Sequence, residues 1–246
     1  MFLGLLPPMT NQDEHISPVN PDDPKLYWIF QDIDFKDWES DGSQVLWIFG
    51  PPDHGITEVA SHTVGLNKGN ASGDVFYFFC SMLETETSVA TTFTTSVLHH
   101  ILNGLGDNQA KSIVTTFLST LLHKILERDR CHFREEHSSV ITVKKILETS
   151  SGRELLRALT ETVVKMETIP DTPMIIDGID KLGKEGAQFL EKFCSHAIVS
   201  PKFKALLTCR TDPHIKEIVD GVLCIEYDKE RQGWGTSYPL VVSLTN

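Results

Sequence analysis

Residues 50–57 read Gly-Pro-Pro-Asp-His-Gly-Ile-Thr and follow an unbroken apolar run, Val45-Leu46-Trp47-Ile48-Phe49. A helical stretch begins immediately, with Glu58-Val59-Ala60. Strand, two spaced glycines, a hydroxyl and a helix form the framework of a loop that holds phosphate. The chemistry asks for glycines where the backbone turns tightly around an anion, and for amide N–H groups aimed inward at the helix start. It also asks for a lysine after the second glycine and a hydroxyl on the magnesium side. Gly50, Gly55 and Thr57 meet the pattern, and Ile56 stands where the lysine belongs.

Two further stretches fit the same chemistry. Pro173-Met174-Ile175-Ile176-Asp177-Gly178-Ile179-Asp180 places a carboxylate at the end of an apolar run. In open α/β sheets that end faces the ligand crevice. Asp177 is then placed to hold Mg²⁺ through water, and Asp180 to orient a second water or cap the next helix. Leu206-Leu207-Thr208-Cys209-Arg210 ends another apolar run in an arginine, able to touch an outermost phosphate. Singly, a plain strand-to-helix turn, a helix N-cap and a surface arginine explain the three as well. Their order along the chain is what points to one phosphate site.

The elements that must carry these residues follow from apolar patterning. Val45–Phe49, Val75–Cys80, Met174–Ile176, Ala205–Thr208 and Val222–Ile225 are continuous apolar runs, the mark of strands covered on both faces. Helical spacing at three and four links Phe93, Val97, Leu98, Ile101, Leu102 and Leu105. It recurs from Ile113 to Leu126, in Leu155, Leu156, Leu159 and Val163, and in Phe189, Leu190, Phe193 and Ala197. Phe35 and Trp38, three apart, suggest one short helix more. Strands alternating with helices predict an α/β fold: a parallel sheet with helices on both faces. Residues 1–34, rich in proline at their centre, read as a flexible leader; 104–150 as a helical insertion with an exposed loop at 129–139; and 229–246 as an irregular tail.

Composition narrows the classes. A formal net charge of -12 sets the whole surface against a phosphate backbone, so no nucleic-acid partner is expected. The opening MFLGLL lacks a basic region and stops at Pro7-Pro8, and no later run reaches the ~18 apolar residues of a membrane span. Cysteines 80, 131, 194, 209 and 224 are scattered without a CxxC pair. That pattern belongs to a reducing compartment, with Cys80, Cys209 and Cys224 as small buried hydrophobes. A cytoplasmic protein with no membrane partner is expected. His99, His100 and His123 have no acid or thiol spaced to complete a metal site, and Trp28, Trp38 and Trp47 read as core or interface anchors.

In order, FKDWESDGSQVLWIFGPPDHGIT, VFYFFCSMLETETSVATTFTTSVLHHIL, PMIIDGID and KALLTCRTDPHI resemble the NACHT-type P-loop ATPase or GTPase domain of fungal NOD-like receptor proteins. The likeness is to the branch with a nephrocystin-like N-terminal domain, and it covers roughly residues 30 to 228. It implies a P-loop NTPase three-layer sandwich with a five-stranded parallel sheet of the additional-strand type. It further implies a switch in which ADP holds the protein closed, and exchange for ATP permits opening and self-association or docking to other protein domains. Carried over by residue, Gly50, Gly55, Ile56 and Thr57 are the phosphate-loop positions, and Thr57 and Asp177 the magnesium side. Asp180 is the second acid of that motif, and Arg210 the phosphate sensor. The cofactor implied is ATP or GTP with Mg²⁺.

The chain departs from that pattern at two loop positions, Asp53 for glycine and Ile56 for lysine. A carboxylate about 5 Å from a phosphate at an effective dielectric of 20 opposes it by roughly 3 kcal/mol. The missing lysine removes a charge-assisted contact of roughly 1.5 to 3 kcal/mol. The expectation is a weakened nucleotide site with little or no hydrolysis. The alternatives are a pseudo-NTPase scaffold that binds no nucleotide, a truncated non-functional fragment, and an active NTPase whose lost lysine is replaced by a cation such as Lys68 or one from the insertion.

Overall fold

The computed structural model describes residues 13, 16, 26–40, 44–69, 75–80, 86–103, 107–128, 147, 150–166, 172–197, 203–219 and 222–227. Five strands form one parallel sheet: β1 (Gln44–Gly50), β2 (Phe76–Phe79), β3 (Met174–Asp177), β4 (Lys204–Arg210) and β5 (Cys224–Glu226). Their spatial order is β2-β3-β4-β1-β5. β1 pairs with β4 from Gln44↔Lys204 to Gly50↔Arg210, and with β5 at Trp47↔Cys224. On the far side of β4, β3 pairs at Ile175↔Leu206, and β2 then pairs with β3 at Phe79↔Asp177. The five strands are the five expected runs, with ends moved by one or two residues.

Both faces of the sheet are covered, which is why the strands are apolar without alternation. On one face, Val45, Trp47 and Phe49 of β1 join Met174, Ile176, Ala205 and Leu207 in the larger core. α4 (Glu86–Asn103), α5 (Asp107–Arg128), α6 (Gly152–Val163) and α7 (Gly183–Ala197) supply its other wall. On the other face, Leu46, Ile48, Ile175 and Leu206 pack against α2 (Ile33–Ser40) and α3 (Ile56–Gly69). The result is a three-layer α/β sandwich. Phe93 of α4 lies at its centre, edge-on to Phe78 of β2 at 5.2 Å and to Phe189 of α7 at 5.7 Å.

Local signals set the helix ends. Ser151 and Glu154 form a reciprocal capping box at the start of α6, Ser151 Oγ accepting from the Glu154 N–H. Asp212 caps the short α8 (Pro213–Ile218), with proline at its first position.

The structure moves two expectations. The stretch read as leader is already packed at its end: α1 (Tyr27–Phe30) lies in it, with Leu26 and Ile29 buried beside Phe35 and Trp38. The segment read as an insertion contributes Ala110, Val114, Phe117 and Leu147 to the larger core, so α5 is part of the main body. Phe117 is buried and Ile113 half-buried as its periodicity predicts, whereas the side chains of Leu121 and Ile125, the 129–139 loop and the 229–246 tail lie outside the described residues. Trp38 and Trp47 are core residues. Cys224 corrects another reading: it is exposed at the edge strand, while Cys80, Cys194 and Cys209 are buried.

Removing the ring of Phe93 is expected to cost about 3–5 kcal/mol, as other large-to-alanine core changes do. Urea denaturation of Phe93→Ala should show the midpoint falling at unchanged slope. Burial pushes the thiols of Cys80, Cys194 and Cys209 well up, so they carry little thiolate at neutral pH. In a Cys131→Ser background, an aromatic disulfide reagent at pH 8 should therefore label Cys224 alone of these four until denaturant is added.

Candidate functional site

The carboxyl ends of β1, β3 and β4 and the first turn of α3 enclose one cleft of about 250 Å³. Gly50, Gly55, Ile56, Thr57, Asp177, Asp180 and Arg210, scattered over 160 positions of sequence, all line it. The reason is the sheet order. β4 lies between β1 and β3, so the loop after β1 and the acid after β3 face each other across it, with Gly50 paired to Arg210.

The contact at the floor is a hydroxyl pair around one carboxylate. Thr57 Oγ1 lies 3.2 and 3.1 Å from the two oxygens of Asp177, and Thr208 Oγ1 donates to Asp177 Oδ1 at 2.6 Å. Thr208 in turn accepts the Gly178 N–H at 3.2 Å through its hydroxyl and at 3.1 Å through its carbonyl. Asp177 is 2% exposed, so these hydroxyls take the place of water around a buried carboxylate. The same field reaches Cys80, whose thiol is pushed up first by burial and then by Asp177 and Asp180.

The glycine loop shows both departures in three dimensions. Asp53 adopts φ 65°, a left-handed conformation that costs a β-carbon roughly 1–2 kcal/mol. Gly55 takes φ 81° without that cost. The Asp53 side chain is exposed, so water screens it. In bulk water a charge pair 5 Å apart is worth about 1 kcal/mol, and the roughly 3 kcal/mol expected for a half-buried pair falls accordingly. Ile56 is folded back on the loop. A Cβ at residue 50 would stand 2.5 Å from Ile56 Cδ1 and 3.1 Å from Tyr227 Cβ, so a side chain there would force Ile56 to move. Tyr227 is fixed by its N–H to the Phe49 carbonyl at 2.8 Å, and its ring meets His54 at 4.3 Å and Trp28 at 5.1 Å. The Trp28 indole N–H donates to the His54 carbonyl at 3.4 Å, so α1 braces the loop from outside.

On the opposite lip, Asp180 caps the end of β4. Its Oδ1 accepts the Arg210 N–H at 3.1 Å, and its Oδ2 lies 3.7 Å from Arg210 Nε. Asp180 therefore holds Arg210 rather than a helix N-terminus. Lys68 does not replace the missing lysine. It binds Asp13 and the Tyr77 hydroxyl, in the last turn of α3 and about 18 Å along that helix from Ile56. Sequence reasoning passed over Thr208 and Lys181, which both line the cleft. For Thr208 a signal existed: a single hydroxyl inside an otherwise apolar strand. Among the described residues no group of three or more His, Cys, Asp and Glu is placed to hold a metal ion, and the His100 ring packs on Phe76 at 4.9 Å.

Replacing Thr208 by valine keeps the shape and strips Asp177 of a charge-assisted donor, at a cost of about 1.5–3 kcal/mol. Urea denaturation should show that loss for Thr208→Val and most of it restored in Thr208→Ser.

The model of the family described as nephrocystin 3, N-terminal, matches residues 26–110 and 105–210, from α1 through the arginine that closes β4. No curated protein matches the chain. The family match spans more than half of the 246 residues and takes in the glycine loop, Asp177 and Arg210 together. The chain belongs to the nephrocystin 3 N-terminal family.

Proposed function

We propose that this chain is the nucleotide-binding switch domain of a NOD-like receptor type protein, of the NACHT kind, with weakened affinity for ATP or GTP and little or no hydrolysis. The observation that carries the reading is the Thr57–Asp177 pair under the glycine loop. A hydroxyl from the first turn of a helix and a buried carboxylate from a neighbouring strand are the two hard oxygens that a magnesium ion takes from protein when phosphates supply others. The first turn of α3 adds amide N–H groups without intrahelical partners, which favour an anion. Bound Mg²⁺ would offset phosphate charge there; Thr57 and Asp177 would hold it, Thr208 would keep the Asp177 carboxylate turned toward it, and Arg210 would meet the outer phosphate. The cleft's 250 Å³ is below the ~300–1,000 Å³ of sites that enclose a whole small molecule. It suits the phosphate end of a nucleotide.

Hydrolysis asks for more than binding. Charge that develops on the transferring phosphoryl group needs a cation at the loop, and Ile56 offers none. A second reading, an interaction scaffold that takes no nucleotide, draws its support from the way Ile56 crowds Gly50 and packs on the apolar core.

Ile56→Lys with Asp53→Gly separates the two. The lysine restores about 1.5–3 kcal/mol and the glycine about 1 kcal/mol more, so affinity for Mg²⁺–ATP should rise about a hundredfold. The unmodified chain should show little change in melting temperature at micromolar nucleotide, and the double variant a clear rise. If the double variant also fails to bind at millimolar nucleotide, the scaffold reading stands instead.

A further inference from the structure

Six charged side chains line the cleft: Asp53, Glu58, Asp177, Asp180, Lys181 and Arg210. The two cations differ in what they already hold. Arg210 is engaged by Asp180 through both its backbone N–H and its guanidinium. Lys181 is half-buried in the 3₁₀ turn Ile179–Leu182, and its backbone N–H bonds the Gly178 carbonyl at 2.9 Å. Its ammonium has no hydrogen bond or ion pair among the described residues. Gly178, at φ 76°, turns the chain sharply out of β3 into this turn, whose Asp180 and Lys181 line the cleft with the glycine loop.

We infer that Lys181 supplies the phosphate-binding cation that the glycine loop lacks, so that the site grips a magnesium-bound oligophosphate from the wall after β3 instead of from the loop. This rests on the nucleotide-site reading above and adds to it which side chain gives the residual affinity. The argument is one of charge. Four carboxylates face two cations, and of the four, Asp177 is occupied by two hydroxyls and Asp180 by Arg210. With Mg²⁺ on the Thr57–Asp177 pair and Arg210 at the outer phosphate, the remaining negative charge of the ligand has one further cation in the lining to meet, and it is Lys181. Its position on a tight turn between a strand and a helix, not on a long loop, holds the stem where three N–H donors can reach an oligophosphate. Lys68, at the far end of α3, cannot serve.

The test is a double-mutant cycle on the full chain, with Mg²⁺–ATP and Mg²⁺–tripolyphosphate as probes titrated into the millimolar range. Lys181→Met keeps the stem and removes the charge. It should weaken both probes about tenfold, as loss of one charge-assisted contact does, and Lys181→Arg should recover most of it. In the Ile56→Lys background the same Lys181→Met change should cost a few-fold at most, because the loop then carries its own cation. Urea midpoints equal to that of the unmodified chain show that the variants are folded. If the native chain binds and Lys181→Met leaves affinity unchanged, the inference fails and the nucleotide site remains. Binding only after Ile56→Lys with Asp53→Gly also overturns it, since no cation then compensates in the native chain. If no variant binds either probe, the inference and the nucleotide-site reading fall together.

Discussion

The carboxylate of Asp177 is the point on which this structure turns. It is buried at the end of β3 and satisfied by hydroxyls from two other elements, Thr57 of α3 and Thr208 of β4. An isolated carboxylate at that depth would be costly, so its partners are constrained in place. Thr57 can reach it only if α3 starts where the glycine loop ends, close to β3, and Thr208 only if β4 pairs beside β3. The β3-β4-β1 order and the loop geometry together meet that requirement.

From that anchor the rest of the cleft follows. The register that seats Thr208 beside Asp177 also pairs Gly50 with Arg210 and brings Asp180 under the Arg210 backbone. The loop itself is the strained and altered part. Asp53 holds a left-handed conformation that glycine adopts freely, and Ile56 turns its side chain toward Gly50 and onto the smaller apolar core. The Thr57–Asp177 pair is kept, and the cation expected at position 56 is replaced by Ile56.

Most of the fold was legible because the strands are buried on both faces. Runs such as Val45–Phe49 need no alternation, and their helices carry clean three-and-four spacing, so element types and their sequence order could be read directly. Two kinds of feature were not. The packing of Leu26 and Ile29 was hidden by the prolines and polar residues before them, because burial of a single short helical turn leaves too little period to detect. The helix from Asp107 to Arg128 read as an insertion because two successive helices exceed what one crossover needs, and nothing local shows that it packs on the main core. At the site, glycines, acid and arginine were legible by type and order. Thr208 left only the faint signal of one hydroxyl in an apolar strand, and Lys181 left none, because a lysine in a turn is ordinary until the fold sets it against an open cleft.

The central claim is that the glycine loop and the Thr57–Asp177 pair form one magnesium-dependent phosphate site. The most direct test is the amide spectrum of ¹⁵N-labelled protein during titration with ATP in the presence and absence of Mg²⁺. The account predicts that, at millimolar ATP with Mg²⁺, the Gly55, Ile56, Thr57 and Gly178 amides shift together with one dissociation constant, and that they shift far less without the ion. Shifts confined to residues away from the cleft, or equal with and without Mg²⁺, would contradict it.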